Sequence, residues 1–101
     1  MSKTPLSKEQ LHAFLKAFKE QHAERYRLIA LGYFGSYARG EATEDSDVDV
    51  VFETDSPNLF RASAMRLELE ELLGRPVDAL RLRGIKNPKL RARIEEEVVY
   101  V

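Results

Sequence analysis

Apolar residues recur along the chain with two different periods, and the switches between them mark out the elements. From Ser7 the period is helical: Leu11, Phe14, Leu15, Phe18 and His22 fall three and four apart, with lysines and glutamates between them. Ser7-Lys8-Glu9-Gln10 has the form of a capping box, in which serine and glutamine side chains satisfy amides that a helix start leaves unpaired. A first helix is therefore predicted to about Tyr26. Leu28 to Phe34 is a short apolar run closed by Gly35-Ser36 and reads as a central strand; one helical turn is expected over Tyr37 to Gly40. Glu41 to Ser46 is an acidic loop. Asp47 to Phe52 then alternates, which puts Asp47 and Asp49 on one face of a strand and Val48, Val50 and Phe52 into a core.

Ser56-Pro57 is expected to supply the N-cap and first-turn proline of a second long helix. Its buried side would carry Ala62, Met65, Leu69, Leu72 and Leu73, and it should stop at Gly74, with Pro76 forbidding continuation. Val77 to Leu82 alternates again, with Val77, Ala79 and Arg81 on one side and Asp78, Leu80 and Leu82 on the other. Asn87-Pro88 caps a last helix carrying Leu90 and Ile94. Strands and helices in this order predict an α/β (α+β) protein, a single domain over 1–101 with a small mixed β-sheet flanked by helices. A strand–helix–strand unit makes its two strands parallel neighbours joined by a right-handed crossover, so Asp78 comes beside the strand of Asp47 and Asp49. Taken alone, Asp78 reads equally well as a solvated edge aspartate.

Two stretches are over-supplied with groups a monomer does not need. Val98-Val99-Tyr100-Val101 is an apolar tail that either folds back on the core or meets a partner. Arg75, Arg81, Arg83, Lys86, Lys89, Arg91 and Arg93 crowd a segment in which Asp78 is the one acid. Such a run is a solvated face, a counterweight to the acidic loop, or a surface for a nucleotide or an acidic partner.

Composition narrows the classes. With 44% hydrophobic and 33% charged residues the chain is an ordinary globular domain and not a disordered one. A net charge of -1 argues against direct nucleic-acid binding and against an anionic membrane surface, both of which need a basic excess. The absence of cysteine removes disulfides, thiolate metal sites and cysteine nucleophiles. There is no signal-peptide pattern and no run of about 20 apolar residues, so a cytoplasmic protein is expected. His12 and His22 have no metal-like companions and are read as surface or boundary residues.

The chemistry is concentrated between Gly32 and Phe52. Two carboxylates on one strand face repel each other, and a divalent cation removes that cost. All-oxygen ligands suit Mg²⁺ or Mn²⁺, which bind one or two carboxylates together with substrate phosphates. Gly35-Ser36 fits a phosphate, since glycine lets backbone amides approach an anion closely and serine adds a hydroxyl donor. Asp45, Asp47 and Asp49 have the one-three-five spacing of a calcium-binding EF-hand loop. Val50 stands where that loop needs glycine and Ser56 where it needs glutamate, so the calcium reading fails. Asp45 is left as a loop residue that supports the other two.

Gly35-Ser36-Tyr37-Ala38-Arg39-Gly40 followed by Ser46-Asp47-Val48-Asp49-Val50 resembles the core motif of polymerase-β-like nucleotidyltransferases, and most closely their minimal single-domain branch, over essentially the whole chain. That branch includes antitoxins paired with HEPN-domain toxins. The resemblance implies a nucleotidyltransferase-like core that moves AMP from ATP to a hydroxyl, with Asp47, Asp49 and Asp78 as catalytic metal ligands. It implies nucleotide binding by Gly35 and Ser36, and by Arg39 and Ser46 with less weight, Arg39 being read first as a brace for the loop. The acceptor implied is a tyrosine of a cognate HEPN ribonuclease toxin, because the chain has no further domain to hold an acceptor. A non-catalytic antitoxin that acts by occlusion and a nucleotide-sensing module are the alternatives; whether the protein is a homo- or hetero-oligomer stays open.

Overall fold

The capping box at Ser7 forms as its sequence requires. Ser7 Oγ accepts from the Gln10 amide at 3.0 Å, and the Gln10 side chain accepts from the Ser7 amide at 2.9 Å. A computed structural model describes residues 6–101. Helix α1 spans Lys8–Tyr26, β1 Leu28–Phe34, α2 Gly35–Ala38, β2 Val48–Thr54, α3 Leu59–Leu73, β3 Val77–Arg81, α4 Pro88–Glu97 and β4 Val99–Tyr100, with a 3-10 turn at Leu82–Gly84. The strands form one mixed sheet in the order β3-β2-β1-β4, antiparallel except for the β2–β3 pair. The expected mixed sheet and parallel crossover are both present.

Alternation along β1 and β2 puts Leu31, Tyr33, Val48, Val50 and Phe52 on one face, where they form the main core with Leu11, Leu15 and Phe18 of α1 and Met65, Leu69 and Leu73 of α3. The same alternation sends Asp49, Val51 and Glu53 to the opposite face. Val51 and Glu53 are buried there all the same, and so is Ile94 of α4. β2 is thus covered on both sides along most of its length, and only its start, at Asp49, is half-open.

Several sequence expectations need correction. The N-cap of α3 is Asn58, whose side chain accepts from the Arg61 amide at 3.0 Å. Ser56 and Pro57 lie ahead of the helix, because the Ser56 amide is held by Thr54 Oγ1 at 3.2 Å and its carbonyl by Arg61. Phe14 and Leu72 do not belong to the buried stripes: they are 40% and 48% exposed. The helical turn after β1 begins at Gly35, two residues earlier than expected. Leu82 leaves the strand for the 3-10 turn.

The apolar tail folds back. Tyr100 and Val99 pair with Gly32 and Tyr33, and the Val101 amide donates to the Leu31 carbonyl at 2.9 Å. Gly32 makes this possible, since a Cβ there would stand 2.8 Å from both Val98 Cγ2 and the Val99 carbonyl oxygen. An isolated glycine inside an apolar strand signals such a close approach, and that signal was present in the sequence. The basic segment is also largely answered from within: Arg81 and Arg83 reach Glu53, Arg91 reaches Glu95, and Arg93 reaches Glu97. Of the alternatives the sequence left open, the tail takes the fold-back, and four of the seven basic side chains have intramolecular acidic partners.

Candidate active site

Three adjacent strands bring the motif residues together. On β1 the last residue, Phe34, is paired with Asp49 of β2, and on the other side Asp49 is paired with Asp78 of β3. Paired positions share a face, so Asp49 and Asp78 stand side by side on the face away from the main core. The Val48 amide bonds to the Pro76 carbonyl at 3.0 Å, which starts β2 one residue after Asp47 and leaves that carboxylate exposed at the mouth of the same face. Asp47 therefore precedes the strand.

Gly35 fixes the contact between this carboxylate row and the turn that follows β1. Its φ of +72° lies in the left-handed region, and a Cβ built on it would stand 2.2 Å from Asp49 Oδ2. Only glycine lets the chain turn there with the Asp49 carboxylate against its backbone. Ser36 is half-buried; its carbonyl accepts from the Glu41 amide at 2.8 Å to close the turn, and its hydroxyl stands outside the hydrogen bonds that do so. Tyr37 anchors the turn in the core, with its hydroxyl accepting from Arg75 at 2.6 Å, and Lys8 donates to the Ala38 carbonyl at 2.9 Å.

The two supporting residues of the motif are occupied by structure. Arg39 bonds both Glu41 and Glu97, so it ties the end of the turn to the acidic loop and to the end of α4. Ser46 Oγ accepts from the Thr43 amide at 2.8 Å and shapes the loop ahead of Asp47. Glu97 was not legible as part of this neighbourhood, because it lies 58 residues from Arg39 with no local motif to announce it.

Electrostatics set Asp49 apart. Burial raises its pKa, and the neighbouring charges of Asp78, Asp47 and Glu97 raise it further, against a smaller lowering by Arg39. A negative charge at this point is opposed by both desolvation and like charges. That donor set, all carboxylate oxygen beside an open turn, fits a hard divalent cation. The three aspartates line one face in order; they are not drawn in on a single point, and among the described residues no three potential ligands stand ready-gathered. The convergence of three carboxylates expected from the sequence is therefore not found: Asp49 and Asp78 are register neighbours and Asp47 lies just ahead of the strand.

A family model described as Nucleotidyltransferase domain matches residues 12–101. The protein adenylyltransferase MntA of Thermococcus cleftensis is 38% identical over 97 residues, covering 95% of this chain and 97% of that protein. A solved structure assigned as a minimal nucleotidyltransferase shares 35% identity and superposes with a TM-score of 0.81, over 96% of this chain and 98% of the other. A toxin–antitoxin structure with AMP-PNP shares the fold at 18% identity, with a TM-score of 0.71 over 84% of this chain and 70% of the other. No helix among the described residues is long and apolar enough to cross a membrane. The parallel Asp49–Asp78 pair, the glycine turn packed against it and the match over nine-tenths of the sequence agree: the chain belongs to the nucleotidyltransferase-domain family, in its minimal form.

Proposed function

We propose that the protein transfers AMP from ATP to a tyrosine hydroxyl of a cognate HEPN-domain ribonuclease toxin, and acts as that toxin's antitoxin. The observation that carries this reading is Asp49, packed against the Gly35 turn and paired in register with Asp78, its charge opposed by burial and by Asp78, Asp47 and Glu97 more than Arg39 favours it. The relative named a protein adenylyltransferase and the neighbour solved as a toxin–antitoxin complex with a nucleotide analogue support the substrate and the partner.

Asp47, Asp49 and Asp78 would hold Mg²⁺ or Mn²⁺. Bound there, the ions would supply charge neutralisation on the triphosphate and lower the pKa of the attacking hydroxyl. The amides of the Gly35 turn and the Ser36 hydroxyl would orient the triphosphate tail, because that turn carries no side-chain cap of its own. Arg39 and Ser46 keep the turn and loop in place and contribute to nucleotide binding through them. The acceptor oxygen attacks the α-phosphorus, the bond from that phosphorus to the bridging oxygen of the β-phosphate breaks, and pyrophosphate leaves. Asp78, exposed on the edge strand, would take the proton from the acceptor hydroxyl. Holding the acceptor in line is worth about 7–11 kcal/mol in such reactions, so the acceptor protein must dock.

The test is intact-mass measurement of the partner toxin after incubation with ATP and Mg²⁺. Wild type should add one or more AMP groups, and Asp47→Asn/Asp49→Asn should add none. A toxin that stays unmodified but is still inhibited by the double variant would mean occlusion and end the enzyme reading.

A further inference from the structure

Glu97 ends α4 where an acid is out of place. The last turn of a helix carries a partial negative charge that opposes a carboxylate, yet α4 closes on Glu95, Glu96 and Glu97 with no basic residue in that turn. Glu95 and Glu96 are exposed, whereas the Glu97 side chain is only 18% exposed. Its carboxylate is held from two sides: Arg93 stands 3.5 Å from one oxygen, and Arg39 of the motif donates to the other. The second partner of Arg39 is Glu41, at 3.1 Å.

The fold fixes Glu97 at the Asp49 end of the sheet. Ile94 buries α4 against the interior, and Val99, two residues after Glu97, pairs with Tyr33 of β1, next to the Phe34 that pairs with Asp49. Arg39 reaches the same place from the turn after β1. Its amide donates to the Gly35 carbonyl at 3.1 Å, and Gly35 is the residue against which the Asp49 carboxylate packs. The charges of Arg39 and Glu97 both act on Asp49, in opposite senses. Among the described residues no ion pair joins Arg39 to Asp49, because the guanidinium is turned to the two glutamates instead. A guanidinium free to rotate beside a half-buried carboxylate would close on it, since a charge-assisted pair relieves what burial and like charges impose. That pair would occupy the oxygens a cation needs.

We propose that Glu97 is a positioning residue, which holds the Arg39 guanidinium off Asp49 and so keeps that carboxylate open to a divalent cation. Glu41 is the weaker restraint, because its side chain is 65% exposed in the loop, whereas Glu97 is fixed by Arg93 and by the pairing of β4 that follows it. The C-terminal fold-back thereby acquires a part in the site, through α4 and Arg39. The inference rests on the reading of Asp49 as a cation ligand.

Mn²⁺ binding without nucleotide, read from the electron paramagnetic resonance signal of the free ion, tests this in a double-mutant cycle. Glu97→Ala should weaken binding about tenfold, a coupling of the size found between charged side chains in contact. Arg39→Gln, which keeps a donor for Glu41 but brings no charge to Asp49, should bind Mn²⁺ at least as tightly as wild type. Relative to Arg39→Gln, the double variant Arg39→Gln/Glu97→Ala should lose about twofold or less, since the group that Glu97 restrains is gone. An equal loss from Glu97→Ala in both backgrounds overturns the proposal, because Glu97 would then act through its own charge or as a ligand. So does the absence of a loss in either background. Circular dichroism checks the fold of each variant, and Glu97→Gln carries the same cycle should Glu97→Ala unfold. A wild type that binds no more Mn²⁺ than Asp47→Asn/Asp49→Asn overturns the cation reading of the site together with this inference, whereas a failed cycle on a wild type that does bind overturns the inference alone.

Discussion

Asp49 and Glu53 occupy the same face of the same strand, four residues apart, and the protein treats their charges in opposite ways. Glu53 is buried and answered: Arg81 Nε donates to one oxygen at 2.9 Å, the Arg83 amide to the other at 3.0 Å, and the Arg83 guanidinium stands 3.9 Å away. Asp49 is half-buried and surrounded by Asp78, Asp47 and Glu97, while the nearest cation, Arg39, is engaged by Glu41 and Glu97. At Glu53 the sheet is closed by pairing a carboxylate with its own arginines. At Asp49 burial and like charges outweigh the favourable Arg39, and in the proposed function a divalent cation would make the missing pairing. One strand thus carries a carboxylate that the fold pairs and one whose charge the fold opposes.

The contrast breaks most visibly when the functional end loses its carboxylates. Asp47→Asn/Asp49→Asn should reduce AMP transfer on the order of 10³-fold, matching the several kcal/mol that cation-assisted catalysis provides. The same variant should lose the thermal stabilisation that ATP with Mg²⁺ gives to wild type by mass action. Differential scanning fluorimetry with and without both ligands checks this, and an equal shift in variant and wild type contradicts it.

Gly35→Ala attacks the same end through the backbone. The left-handed φ and the 2.2 Å approach to Asp49 Oδ2 should together cost about 2–3 kcal/mol of stability and move the carboxylate away from the turn. Gly74→Ala is the control, since Gly74 has a φ of +69° but nothing within 4 Å of the added methyl. It should cost about 1 kcal/mol in a urea melt and leave transfer by the folded protein unchanged.

At the structural end, Arg81→Met should strand the Glu53 carboxylate in a buried position. A loss of about 2 kcal/mol is expected, less than for a fully buried pair because Arg81 is partly solvated. Chemical denaturation measures it, and AMP transfer per folded molecule should not change. If transfer fell in proportion to that of the aspartate variants, the two carboxylates would not be separable in role.

The smallest effect has the opposite sign. Because the folded-state pKa of Asp49 is raised, the folded protein holds its proton more tightly than the unfolded chain does. Its contribution therefore lowers stability as pH rises through and above the ordinary carboxylate range, and protonation at lower pH removes the penalty. Asp49→Asn should accordingly stabilise the metal-free protein at neutral pH by roughly 0.5 kcal/mol after allowance for solvent screening, or roughly 2–4 °C in melting temperature. The gain should shrink as pH falls through the ordinary carboxylate range, because protonation of Asp49 removes the penalty in wild type. A neutral-pH melting temperature that falls in this variant contradicts the assignment of Asp49 as an uncompensated charge.

What the sequence determined by itself was whatever depends on near neighbours. The Ser7–Gln10 capping box, the alternation from Val48 to Phe52, the stop at Gly74 and the Asn87-Pro88 helix start were legible because hydrogen bonds three residues long and periods of two or 3.6 are written in adjacent residues. The motif from Gly35 to Val50 was legible for the same reason. Tertiary structure decided which charges would meet. Nothing near Arg39 names Glu97 and nothing near Glu53 names Arg81 or Arg83, whereas Arg91–Glu95 and Arg93–Glu97 are four-residue pairs within α4. The strand–helix–strand pattern had implied the neighbouring strands, and register added that Asp78 pairs with Asp49 itself; the pairing of β4 with β1 made the apolar tail an edge strand over Gly32. The outward stripe of α3 had the composition of a core face, and only the placement of the helix showed which of its leucines the sheet had left uncovered. Each of these depends on groups separated by tens of residues, whose distance is fixed by how strands align and helices pack and by no pattern in the chain between them.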